Sequence, residues 1–361
     1  MVPRKLSTLK EPQMADTNGK IVPLRWETLN KRKFDELDRS RCVVLVTCSP
    51  MEVHGPHLPL GADALEGEGL LDRTVQMLPE RHRDRIFLKL PFIYAAGDTV
   101  PQPGSLFFRP STTIAVLEDL GRSLASQGFR DVLVSNFHGS PRHFLAIETA
   151  CDRVSRDCGI RMVCVFSLML SRLTGGSKEL YEVLGELPGV NREDLIGDIH
   201  GGLVETAQLL ALHPDWVDSG YSKLPRQTVK TWLAKNGEPV PKSQNGGAPG
   251  IFEMLKELRN GLRFFSVETY SGAPAGASAE IGNRILDKLA GYSAAAVAEI
   301  LDGKLFPEQC HSPLWPRRFL FVNPWMVRLA NWLLGVPAGA VNGRVPSPAQ
   351  LKASATPAIA R

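Results

Sequence analysis

What the chain lacks narrows its function first. It has no run of about 18 uninterrupted apolar residues, so no membrane-spanning helix is expected. Its first twenty residues are polar, without the apolar stretch of a secretory signal, and read as a loose leader over 1–20. No block of Lys or Arg is long enough to make a polybasic arm. Lys plus Arg number 42 against 38 Asp plus Glu, a net +4 that is too small to argue for a nucleic-acid partner. The six cysteines, at 42, 48, 151, 158, 164 and 310, include no C-x-x-C pair. Free buried thiols in a reducing cytoplasm are therefore expected, not a disulfide frame or a thiolate metal site. No internal repeat is present.

What is there suits one large domain with an appendage: 361 residues, 43% of them hydrophobic. Residues 42–48, 86–90, 131–136 and 161–166 are short apolar runs that read as strands. Residues 65–78, 112–126 and 142–156 read as helices, with Ser111 capping the second. This alternation predicts an α/β fold with a mainly parallel sheet and helices on both faces. Residues 222–250, rich in Pro, Gly, Lys and Asn, read as an insertion or long loop. A helix-like stretch follows at 276–303, with Ser278 as its cap. Asn323-Pro324 opens a short helix ending near Gly335. Residues 337–361, rich in Pro, Ala, Gly and Ser, are expected to be disordered.

Three segments carry the chemistry. Glu52, His54, His57 and Asp63 crowd into twelve residues after the first long strand, where Gly55 and Pro59 disfavour helix. Carboxylates and imidazoles without thiolates suit Zn, Mn or Fe acting as a Lewis acid. His138 lies just past the end of the 131–136 strand. Ligands of parallel sheets bind beyond the carboxyl ends of strands, and both segments fall there. The third segment runs from Asp198 to Thr206 and can aim His200 and Glu205 into one cleft.

Together these segments resemble the creatininase family of metal-dependent amidohydrolases. The run from Glu52 to Asp63 follows the family pattern E-x-H-G-x-H-L-P, with Asp after three more residues. The His138 and His200 segments match in order, and Gly272 to Gly282 matches the late G-x-P-x-x-A-x-A-E-x-G element. The resemblance covers roughly residues 25–303 and implies a three-layer creatininase-like fold, with a catalytic domain at 21–305. It implies two divalent ions, Zn and/or Mn, with Fe also able to serve. One would be held by Glu52, Asp63 and His138, the other by His54, Asp63 and Glu205, with a hydroxide between them. His200 would hold the substrate and pass a proton to the leaving nitrogen. His57, Ser140 and Asp198 would support these groups or touch the substrate.

Departures from the family pattern bear on the substrate. Ser140-Pro141 stands where Gly-Asn is usual, Ala207 replaces a serine, and Gly97 to Ser105 lacks the usual content of a pocket loop. Creatinine is therefore an unsafe inference. The implied reaction is hydrolysis of a non-peptide C–N bond, of the cyclic amide or formamide type, in a small-molecule amide. The resemblance also implies a homo-oligomer, often a hexamer. Two rivals share the fold: a peptidase trimming a small modified peptide precursor, and a catalytically lapsed scaffold. Beyond the family core, the apolar extension at 306–336 carries Trp315, Arg317, Arg318, Trp325 and Trp332. Packing onto the core or a neighbouring subunit is expected for it, and contact with a membrane surface is the lesser alternative.

Overall fold

The β-branched run after residue 41 has apolar side chains on both faces, so it demands cover on both sides. In the computed structural model, which describes residues 20–174, 180–240 and 251–334, it becomes the central strand. The strands are β1 (Leu24–Arg25), β2 (Cys42–Ser49), β3 (Ile86–Lys89), β4 (Ile93–Tyr94), β5 (Asp131–Ser135) and β6 (Arg161–Cys164). They pair in parallel in the order β1-β3-β2-β5-β6, with β4 also on β2. Val44 lies opposite Leu88 on one side and Val132 on the other.

The longer helices are α1 (Ala62–Gln76), α2 (Pro110–Ser126), α3 (Pro141–Cys158), α4 (Val165–Thr174), α5 (Leu203–Leu212), α6 (Val229–Lys235), α7 (Ile251–Phe265), α8 (Ala279–Leu301) and α9 (Pro324–Leu334). Val44 and Val46 join an apolar cluster with Leu117 of α2 and Ala150 of α3. Val43 and Leu45, pointing the other way, join Leu71 of α1 and Val297 of α8. The result is the three-layer α/β arrangement expected from the sequence. From β2 the chain goes outward to β3, then crosses back to β5 on the other side. That reversal opens a crevice beyond the carboxyl ends of β2 and β5. The Glu52–Asp63 loop and His138 extend from those two ends.

Several boundaries differ from the sequence reading. Helix α2 begins at Pro110 with Arg109 in the cap position, not at Ser111. Proline's fixed φ and missing N–H suit the first helical position. The apolar run 161–166 divides, with β6 ending at Cys164 and α4 starting at Val165. Periodicity alone does not separate a buried strand from a buried helix in so short a run. The 222–250 segment contains α6, closed at its start by a reciprocal capping box between Thr228 and Thr231. Helix α7, unassigned from sequence, follows it. Residues 241–250, the tail at 337–361 and all of the 1–20 leader except Lys20 lie outside the described residues. Ser278 does cap α8, accepting from the Ile281 N–H. All six cysteines are free, and five are buried.

Helix α8 lies hard against α5, the helix that bears Glu205. A β-carbon on Gly282 would run into the backbone carbonyl of Ala207. Gly282→Ala should therefore force α8 and α5 apart and lower stability by about 1–3 kcal/mol. Urea unfolding measures this, and an unchanged midpoint would show that the two helices tolerate a wider spacing.

A candidate metal centre

Five side chains named from the sequence converge beyond β2 and β5. Asp63, in the first turn of α1, divides its two oxygens. Oδ1 is 3.4 Å from Nε2 of His54, and Oδ2 is 3.5 Å from Nδ1 of His138. Nδ1 of His138 is also 3.0 Å from Oε2 of Glu52. Nε2 of His54 is 3.8 Å from Oε2 of Glu205. The donor atoms thus form two overlapping sets, Glu52–Asp63–His138 and His54–Asp63–Glu205, each close enough to hold one ion. Asp63 belongs to both.

Backbone groups orient these side chains. His54 Nδ1 donates to the Glu52 carbonyl at 3.0 Å, and His138 Nε2 donates to the Asp98 carbonyl at 2.8 Å. A carbonyl oxygen only accepts, so the other nitrogen of each neutral ring keeps its lone pair for the carboxylate side. Glu52 Oε1 accepts from the Val100 N–H, and Glu205 Oε2 accepts from the Gly201 N–H. Gly201 has φ 58°. A β-carbon there would stand 3.0 Å from Cβ of Tyr270 and 3.1 Å from the His54 carbonyl carbon. Glycine is required on both counts.

The electrostatics are those of a buried, densely charged pocket. Burial opposes charging His54, but Asp63 and Glu205 overcome it and push its pKa up to about 10. Burial likewise opposes charging His138, yet Glu52 and Asp63 raise it well above the usual imidazole range. For Asp63 burial favours the neutral acid, but His54 and His138 hold the carboxyl well below its ordinary range. Burial raises Glu205 to about 7, against the pull of His54. Glu52 Oε2, His54 Nε2 and both Asp63 oxygens are buried with no hydrogen-bond partner. Buried polar atoms are nearly always satisfied, so four orphaned donor atoms facing one another fit divalent cations.

His200 stacks on His54 with ring centroids 4.0 Å apart and meets Phe265 edge-on at 5.2 Å. Its donors also lie near enough to Glu52 and His54 to share an ion. Its Nε2 donates to the Val53 carbonyl at 2.7 Å. Burial and the charge on His54 lower its pKa to about 4, below the ordinary imidazole value, so the ring is neutral near pH 7. His57 is outside these sets, its Nε2 2.8 Å from the Thr206 hydroxyl on α5. Ser140 opens α3 and its hydroxyl serves the Asp98 carboxylate. Asp198 accepts from the Leu203 N–H and so anchors the start of α5.

The sequence reading missed three contributors. The first is a pair of backbone groups, the Val100 N–H and the Asp98 carbonyl, which carry no residue signature. Arg142 is the second. It donates to Asn331 of α9 at 2.8 Å and lies 3.9 Å from the Asp98 carboxylate. The third is Glu66, one turn beyond Asp63 on α1. It is fully buried, neither oxygen has a hydrogen-bond partner, and burial with Glu205 and Asp63 nearby raises its pKa well above the usual carboxyl range. The only sequence signal was a second acid at helical spacing from Asp63.

Fold and site together define a class: an α/β protein with a buried, paired carboxylate–imidazole centre at the switch point of a parallel sheet. The family model for creatinine amidohydrolase matches residues 27–297. The chain therefore belongs to the creatininase family. It is 25% identical over 179 residues to the creatinine amidohydrolase of Pseudomonas putida, an alignment spanning 49% of this chain and 66% of that relative. A mutant creatininase complexed with creatine superposes with a TM-score of 0.51 at 19% identity, covering 77% of this chain and 99% of that one. A creatininase described as its Mn form gives the same TM-score, identity and coverage. A mutant creatininase of Zn-Zn type gives 0.51 at 18% identity, covering 77% and 98%. At these identities the structural likeness establishes the fold.

Glu66 generates a test that does not need a substrate. Its folded pKa is raised, so the native state keeps a proton that the unfolded chain releases above a pH of about 4.3. Stability is therefore lost as pH rises from that value toward the folded pKa. Glu66→Gln removes the penalty. In chelator-treated protein it should gain roughly 1–3 kcal/mol at pH 8 and nothing near pH 4. Denaturant midpoints at the two pH values check it; an equal effect at both would rule out a buried neutral acid.

Proposed function

We propose that this chain is a two-metal amidohydrolase that cleaves a non-peptide C–N bond in a small cyclic amide or formamide. The observation that carries the reading is the division of Asp63 between His54 and His138, with both Asp63 oxygens, Glu52 Oε2 and His54 Nε2 buried and unsatisfied. Glu52, Asp63 and His138 would hold one ion, and His54, Asp63 and Glu205 the other. The donor set suits Zn or Mn and tolerates Fe. When bound, such ions supply Lewis acidity and bring the pKa of a water toward neutrality.

The chain's own residues supply the rest. With its Nε2–H fixed on the Val53 carbonyl, neutral His200 presents Nδ1 as a proton acceptor. A proton taken there can be handed to the leaving nitrogen, which must be protonated to depart as an amine. Phe265 against one side of His200 limits water at that ring. His57, through Thr206, ties the Glu52–Asp63 loop to the helix of Glu205. The family membership and the intact donor sets support this reading over a lapsed scaffold.

Metal analysis and turnover test the reading together. Wild type should carry roughly two divalent ions per chain. Asp63→Ala should lose both ions and all activity, because each set depends on that carboxylate. Full metal content in that variant would sink the bridging assignment. His200→Asn should keep its ions while kcat falls by about 10²–10⁴ on a formamide or lactam panel followed by amine release. Loss of metal in that variant would make His200 a ligand instead.

Metal uptake should also release protons. In metal-free protein His54 stays protonated up to a pH of about 10, and His138 is raised as well. Both must deprotonate to coordinate, as must the part of Glu205 that is protonated with its pKa near 7, so affinity should fall as pH drops, with roughly two to three protons released per loaded chain at pH 7. Calorimetry in buffers of different ionisation enthalpy measures this. Zero release would mean that the imidazoles are neutral before binding.

A further inference from the structure

The family match ends at residue 297, and the chain beyond it builds α9. At about 100° per residue, Val327 and Asn331 fall on one side of this helix and Trp325, Leu329, Trp332 and Leu333 on the opposite side. The structure follows that division. Val327 and Asn331 are buried against the protein, whereas Trp325 and Trp332 are each 76% exposed and Leu333 is 55% exposed. Packing onto the core therefore accounts only for the inner face. Phe319, in the short turn before α9, is also exposed.

Charge indicates what covers the outer face. No Asp or Glu occurs after Glu308, while Arg317, Arg318, Arg328, Arg344, Lys352 and Arg361 all do. Arg328 borders the Trp332 side of the exposed stripe, and both Arg328 and Arg317 are exposed. A second copy pairing two-fold through this face would bring no carboxylate of that face to its arginines, since a two-fold interface presents the same patch from both sides. Residues 335–361 likewise carry Arg344, Lys352 and Arg361 and no acidic side chain, so they offer those arginines no carboxylate partner. An anionic lipid surface meets both demands at once. Its headgroups attract the cations, and its interfacial zone is where tryptophan rings partition. A helix in that zone need not cross the bilayer, and among the described residues no helix is long and apolar enough to do so.

We infer that α9 and the preceding turn form a peripheral docking surface for anionic membranes, with Trp325, Trp332 and Leu333 entering the interface and Arg317 and Arg328 facing headgroups. The attachment side is fixed relative to the candidate centre. Asn331, on the inner face, accepts from Arg142, which neighbours Asp98, whose carbonyl holds His138.

Co-sedimentation of the full chain with vesicles tests this. Phosphatidylcholine vesicles with about one phosphatidylglycerol in three should pellet the protein at low salt, and pure phosphatidylcholine should not. Binding should fall as salt shortens the screening length. Trp325→Ala with Trp332→Ala should weaken binding at least about tenfold, with an unchanged melting curve because both side chains are exposed. Arg317→Glu with Arg328→Glu should abolish it. No pelleting with anionic vesicles would overturn the inference, as would pelleting indifferent to lipid charge or to the tryptophans. Concentration-dependent self-association in the absence of vesicles, abolished by the same tryptophan pair, would assign the face to a second copy and overturn it equally.

Discussion

The carboxylate of Asp63 is the constraint on which the rest of the centre depends. Its two oxygens are buried, face two different imidazoles and take no hydrogen bond from the protein. Three carboxylates, from Glu52, Asp63 and Glu205, meet two imidazoles there. Without cations the site is tolerable only with both rings protonated, which is the direction of the His54 and His138 shifts. Neutral imidazoles with one divalent ion leave the set negative, and with two leave it positive by one charge.

The fold exists around that arrangement in a specific sense. Three separate segments must deliver donors to one point: the loop after β2, the loop after β5 and the start of α5. The crevice between β2 and β5 brings the first two together, and close packing of α5 under α8 presents the third. Fine aim is then left to backbone groups at Glu52, Asp98, Val100 and Gly201. This explains how Gly97 to Ser105 can depart from the family pattern and still serve. An amide N–H or a carbonyl is the same whichever side chain it carries, so the donor sets survive while the pocket lining is free to change.

The same distinction explains what could be read from the sequence. Strands β2 and β5 were legible because buried parallel strands are continuous apolar runs. The donors were legible because carboxylates and histidines are rare in such density after a strand. The α2 start, the split at Cys164 and the helices α6 and α7 were not, because they turn on a proline preference, an ambiguous apolar run and polar segments with weak periodicity. Glu66 was hidden by its chemistry: an acid on a helix normally reads as a solvated surface residue, and only tertiary packing reveals that it is sealed in. Arg142 and Asn331 meet across 189 residues of sequence, and no local pattern encodes such a pair.

That pair also bears on whether the C-terminal extension is an independent appendage. The Arg142 side chain is only 11% exposed, and its Asp98 partner is distant at 3.9 Å. Asn331 supplies its short hydrogen bond. A guanidinium stays charged at any ordinary pH, so a poorly accessible one stripped of its acceptor is costly. Removing α9 would leave Arg142 with the Asp98 carboxylate, 3.9 Å away, as its remaining acidic neighbour. Asp98 in turn fixes the His138 ring through its carbonyl. The extension is thus joined to the centre by three successive polar contacts, and the helix that presents tryptophans outward is the same helix that backs a histidine of the candidate centre.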